Sequence, residues 1–151
     1  MSEHLNAFVQ NWERIHQQTV ALMKVAPDDQ YDWKTCESAM TLRELMNHFP
    51  QAEAGLAHAI VHDTMPTERP APINETAALI AAFDASHAAA VAQVSTLPAE
   101  KLGETITPFG PTHALTREQL MQALLEHEIH HRGQLYTYLR MLGAPVPPLF
   151  G

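Results

Sequence analysis

Cysteine is nearly absent from this 151-residue chain, which carries only Cys36. That excludes an intramolecular disulfide framework and every Cys-rich zinc module, and it fits a reducing compartment. Cations are scarce as well: nine Lys and Arg stand against 17 Asp and Glu, for a formal charge of -8. Binding to phosphate backbones depends on clustered Lys and Arg, so no nucleic-acid partner is expected. Long unbroken apolar runs are missing too. The longest apolar stretch, Thr76 to Leu97, is interrupted by Asp84, His87 and Gln93. It reads as an alanine-rich buried helix, with no membrane partner expected. Met1 to Asn11 carries Glu3 and lacks the basic start and apolar core of a signal peptide, so the expected compartment is the cytoplasm.

Histidine runs the other way. Its ten copies outnumber Lys and Arg together, and protonating all of them would carry the net charge from -8 to +2. Such an excess needs a use for imidazole.

The length suits one domain over residues 1–151, large enough to bury roughly two-thirds of its unfolded surface without disulfide or metal. Apolar residues at steps of three and four predict four helices and no clear strand. The first runs from Glu3 to Ala26 and is stopped by Pro27. Thr41 and Glu44 make a capping box for the second, in which Pro50 should free the carbonyl of Met46 and bend the axis. Asp63 to Pro72 holds three prolines and reads as a linker; Asn74 can cap a third helix through Leu97. Gly103 to Pro111 is a loop with a few β-prone residues, and Thr116 opens a last helix that closes at Gly143. The expected fold is all-α, a four-helix bundle with its metal or cofactor site between facing helices.

At 100° per residue, Leu124, His127, His131 and Leu135 share one narrow stripe of the last helix. Two imidazoles one turn apart, where leucines are expected, find no hydrogen bonds in an apolar core, whereas a divalent metal takes one lone pair from each. His130 lies on the flank. His127 to His131 also spell H-E-x-x-H, the zinc-protease helix in which Glu128 would be the general base. The metzincin extension fails, since Gln134 and Thr137 stand where glycine and histidine are required, and no Asp, Glu or His follows His131. A third ligand must come from upstream, and periodicity leaves His16, His48 and His87 open.

The segment Thr41-Leu-Arg-Glu-Leu-Met-Asn-His48 with Glu53, and the run His127-Glu-Ile-His-His-Arg-Gly-Gln134, resemble the DinB-like family of small bacterial proteins. The loop Thr107-Pro-Phe-Gly110 and the tail Pro145 to Gly151 are similar to that family as well. The resemblance implies a four-helix bundle and a homodimer. It also implies one divalent metal, nickel or zinc, held by His48, His127 and His131. Pro50 departs from the ordinary helix former expected there. The family's name refers to induction by DNA damage, a statement about expression; most members have no assigned reaction, and related branches are thiol-dependent transferases or isomerases.

Three neutral imidazoles leave a metal an open position for water or substrate. The expectation is an enzyme acting on a small molecule, by transfer to an external thiol or by hydrolysis; the alternative is a dimeric module that binds metal and ligand without turnover. Glu53, Glu128 and Arg132 are the candidate catalytic groups. Glu53 can orient a ligand, take a proton or make an edge salt bridge, and Arg132 can bind a carboxylate or stand solvated at the surface. Gly133 is expected to permit close helix approach, and Cys36 to pack rather than react.

Overall fold

The computed structural model describes residues 2–148, so Leu149, Phe150 and Gly151 of the family-like tail, and Met1, lie outside the described residues. Four helices carry the architecture: α1 Glu3–Met23, α2 Leu42–His62, α3 Thr76–Val94 and α4 Arg117–Met141. Single 3-10 turns at Asp28–Gln30 and Ala99–Lys101 follow α1 and α3. The all-α reading holds, and the loop of β-prone residues adds only a two-residue antiparallel ladder, β1 Thr105–Ile106 with β2 Leu115–Thr116, pairing Thr105 with Thr116 and Ile106 with Leu115. Ile106 is buried, so the ladder closes the bundle end beneath the loop.

Helix starts follow the caps written in the sequence. Thr41 and Glu44 form a complete capping box, and Thr116 with Gln119 forms a second. α3 differs: its N-cap is Glu75 without a side-chain cap, because Asn74 turns away and accepts a hydrogen bond from Arg43. Helices α1 and α3 stop at Met23 and Val94, three residues short of the expected Ala26 and Leu97, where the chain tightens into i+3 turns. α2 runs through Pro50 without a break.

Two apolar clusters occupy the two ends of the bundle. One gathers Leu5, Trp12, Ile60, Val94 and Leu124; the other gathers Leu22, Leu42, Phe49, Phe83 and Leu135. Their order along each helix gives the directions: α1 and α4 run from the first end to the second, α2 and α3 from the second to the first. The link between α2 and α3 must therefore return along the bundle. Its 13 residues, 63–75, reach about 43 Å when extended, against roughly 30 Å for a helix of about 20 residues, so the proline-rich linker is long enough for that path. α2 packs along both α3 and α4, and α1 packs against α4 and α3. By length and mean hydropathy, 1.4, α3 alone among the described residues could cross a membrane. In this fold it buries Leu79, Phe83, His87, Ala90 and Val94 inside the bundle.

Between the two apolar ends lies a polar layer. His16, Thr19, Glu53, His87, Glu128 and Arg132 are all buried there, and the expected site histidines stand beside them. Other expectations fall away. A Cβ on Gly133 would meet nothing within 4 Å, so no close approach requires that glycine; the crowded one is Gly55, where Met65 Cε lies 3.3 Å away. Cys36 is exposed and does not pack.

Candidate metal centre

α2 presents His48 in its second turn, and α4 presents His127 and His131 one turn apart. Their Nε2 atoms converge: His48 to His127 is 3.1 Å and His127 to His131 is 3.2 Å. A tetrahedral ion with bonds of about 2.0 to 2.1 Å needs nitrogens roughly 3.3 Å apart, and an octahedral one needs roughly 2.9 Å. Both spacings to His127 lie between these values, and all three donor atoms lie within 4.8 Å of one another, so the group could hold a first-row divalent ion. His16 and His87, left open by periodicity, form a separate group with Glu53.

The tautomers and charges suit ligation. His131 Nδ1–H donates to Gln134 Oε1 at 2.7 Å, which turns the Nε2 lone pair toward the other two rings. Burial, with the neighbouring histidines, lowers the pKa of all three; for His127 the fall is from 6.5 to about 4. The three rings are therefore neutral at pH 7, with lone pairs available.

A depressed histidine is a stability statement. Between pH 6.5 and about 4 the unfolded chain binds a proton that folded His127 refuses, so stability is full above this window and falls as pH drops through it. For a half-buried ring the loss is on the order of 2 kcal/mol after solvent screening. His87, shifted upward, works in the opposite sense. The metal-free chain is expected to lose denaturation midpoint steadily from pH 6.5 to 4.5, measured by urea titration; a flat profile would contradict the burial of these rings.

Behind the histidines, a cavity of about 10 Å³ is lined by Phe49, Glu53, Leu56, Leu124 and Glu128 together with the three rings. That is room for roughly one water or ion, so any larger reactant meets the site from its open side. Glu53 and Glu128 are 4% and 5% exposed, and each keeps one oxygen without a partner, Glu53 Oε1 and Glu128 Oε2. An unpaired buried acceptor costs about 1 to 3 kcal/mol, so these two oxygens favour a proton donor in the cavity. Burial raises Glu128 to about 7, against a hydrogen bond from Thr19 Oγ1 at 2.6 Å to its Oε1. Glu53 Oε2 accepts from Trp12 Nε1–H at 2.8 Å and from His87 Nδ1–H at 2.9 Å. Of the three roles open to Glu53, the edge salt bridge falls away, because the side chain is central and buried.

Arg132 also departs from its surface reading. It is 5% exposed and donates to Gln18 Oε1 at 2.5 Å, away from the cavity lining, so it neither stands solvated nor offers itself to a substrate carboxylate. Sequence reasoning missed Gln134 as a ligand-orienting group and the depth of Glu128. The signal for the latter was present: Met121, Leu125, Glu128, Arg132 and Leu139 form a second buried row beside the histidine stripe, at steps of three, four and seven. His130 is exposed, as its flank position implies.

The DinB family model matches residues 1–150. YjoA of Bacillus subtilis (strain 168) is 29% identical over 126 residues, spanning 81% of this chain and 80% of that protein. Its crystal structure superposes with a TM-score of 0.79 at 26% identity, covering 95% of this chain and 96% of that one. A DinB-like protein from Bacillus cereus ATCC 10987 has the same fold, with a TM-score of 0.81 at 19% identity and 95% coverage of both chains. YfiT of Bacillus subtilis, described as a probable metal-dependent hydrolase with an unusual four-helix bundle topology, matches with a TM-score of 0.72 at 16% identity, over 95% of this chain and 90% of that one.

Proposed function

The chain belongs to the DinB family, and on that premise we propose that it is a metal-dependent hydrolase of a small molecule, holding one divalent ion on His48, His127 and His131. The observation that carries this reading is the pairing of three convergent Nε2 atoms with two buried carboxyl oxygens left without partners in one cavity. The relation to YfiT supports the same class of reaction.

A divalent ion so held supplies Lewis acidity and a nucleophile at neutral pH. The protein's own part is positional and protonic. His131 is aimed by Gln134, and Phe49, Leu56 and Leu124 keep bulk water from the floor of the cavity. Glu53 Oε1 takes the proton that the nucleophile must lose. Glu128, with its pKa near 7, is suited to return a proton to the leaving group. Zinc and nickel both suit three imidazoles, and availability decides between them.

The test begins with metal analysis of untagged protein. About one ion per chain is expected, with chelation lowering the melting temperature and added zinc or nickel restoring it; an ion at a hundredfold excess over Kd stabilises by about 2.7 kcal/mol. Metal below roughly 0.1 per chain that added ions do not raise would refute the reading, since folded-state binding must shift stability. Turnover of ester, amide or phosphoester substrates then separates hydrolysis from transfer to an added thiol, and from binding without turnover.

A further inference from the structure

The polar layer holds a second cluster, His16, Glu53 and His87, whose potential ligand atoms also lie within 4.8 Å of one another. Geometry argues against a second metal there. The His16 and His87 rings stack, with centroids 3.9 Å apart and planes only 7° from parallel. An imidazole binds an ion in the plane of its ring, and two such parallel planes share no point. Both His87 nitrogens are also occupied: Nδ1 lies 2.9 Å from Glu53 Oε2 and Nε2 lies 3.0 Å from Glu13 Oε2.

We propose that Glu53, His87 and Glu13 form a proton-coupled column through the bundle, in which His87 releases a proton to solvent through Glu13 whenever Glu53 takes one in the three-histidine cavity. The column joins two separate sides of the molecule. Glu53 lines the cavity between α2 and α4, while Glu13 and His87 line a cleft of about 580 Å³ between α1 and α3.

Two carboxylates facing one ring leave it no acceptor to be, so both nitrogens of His87 carry hydrogen and the ring is an imidazolium. Burial alone would discharge it, but Glu53 and Glu13 outweigh burial and raise its pKa. Every element contributes to its surroundings: Glu53 from α2, Glu13 and His16 from α1, Asp84 on α3 through His16, and Glu128 from α4 at longer range. His16 is lowered by burial and by the neighbouring charge, and its Nε2–H donates to Asp84 Oδ1 at 2.8 Å. Trp12 Nε1–H pins the Glu53 oxygen that faces His87, leaving Oε1 for the cavity.

The step balances. An O–H bond forms at Glu53 Oε1, and the carboxyl loses its charge. His87 then faces one anion fewer; its Nε2–H bond breaks, the proton passing to Glu13 Oε2, which is half exposed, and on to water. The buried Glu53–His87 pair stays neutral in total throughout, avoiding the cost of an unpaired interior charge. The reverse transfer resets the column once Glu53 gives up its proton. The use of this column in turnover rests on the hydrolase reading; the coupling itself belongs to the metal-free chain as well.

Nitrogen-15 NMR of the metal-free protein tests it. At pH 7 both ring nitrogens of His87 are expected to carry protons, Glu53→Gln should convert the ring to a singly protonated form, and Glu13→Gln should slow exchange of the Nε2 proton with water by roughly tenfold, as loss of a positioned acceptor would. Glu13 is half exposed, so its variant folds even where Glu53→Gln does not. In the metal-loaded enzyme, Glu13→Gln should keep its metal yet lose turnover about tenfold, with recovery in small imidazole buffers. A singly protonated His87 in the unaltered chain, or Nε2 exchange unchanged by Glu13→Gln, overturns the proposal. Absence of bound metal would leave the NMR result standing and overturn only the hydrolase reading.

Discussion

Replacing His127 with alanine is expected to empty the metal centre: metal content falls from about one to below roughly 0.1 ion per chain, with affinity down about 100-fold or more, since even the loss of an outer-sphere partner costs 10 to 100-fold. His127 is the central ligand, because its Nε2 stands 3.1 Å from that of His48 and 3.2 Å from that of His131. The substitution has a second, opposite signature. Without metal, the unaltered chain keeps an imidazole whose pKa is pushed down to about 4, and this costs stability as pH falls from 6.5. His127→Ala deletes that cost. The variant should therefore lose the stabilisation by added zinc or nickel while its metal-free form becomes more acid-tolerant than the parent. Full metal occupancy in the variant, measured by plasma emission, would refute the assignment of His127.

Replacing Trp12 with alanine should be the most damaging single change to stability, about 3 to 5 kcal/mol, as for other fully buried aromatics. Trp12 is completely buried, meets Phe8 and the edge of His87, and donates its Nε1–H to Glu53 across the bundle. The loss has two parts, a cavity at the margin of one apolar cluster and a carboxyl oxygen deprived of a donor. Trp12→Phe separates them: it keeps most of the ring, and its cost should be about 1 to 3 kcal/mol, mainly for the missing N–H. Urea unfolding of both variants checks the order. Equal costs would mean that the missing N–H accounts for the whole loss and that burial of the ring adds nothing.

Much of this molecule is local in origin and was legible as such. Thr41 with Glu44 marks the start of α2 by short-range chemistry, whereas Pro27 only bounds α1, which ends at Met23. His127 and His131 announce themselves because two imidazoles occupy leucine positions. What the one-dimensional pattern cannot carry is which faces meet. Periodicity left His16, His48 and His87 equivalent, and the choice came from resemblance; the bundle separates them, sending His48 to the α4 histidines and the other two to Glu53. The surface reading of Arg132 failed and the depth of Glu128 went unread because polar side chains at buried rows break the hydropathy signal, although the apolar members Met121, Leu125 and Leu139 outline the row. Gly133 misled for a related reason. A glycine inside a helix suggests crowding, but only the third dimension tells that its neighbourhood is open and that Gly55 is the tight spot.

The returning linker at 63–75 has a consequence for how the parts are held. It is the covalent tie between the half of the chain that carries α1 and α2 and the half that carries α3 and α4, while the packing runs across these halves, α2 on α3 and α4 and α1 on α4 and α3. His48 belongs to the first half, and His127 and His131 belong to the second. A chain nicked within the exposed prolines of that linker remains two fragments whose shared polar layer includes the metal centre. The ion's binding energy would then be association energy, and the site would act as a clasp between halves as well as a reaction centre.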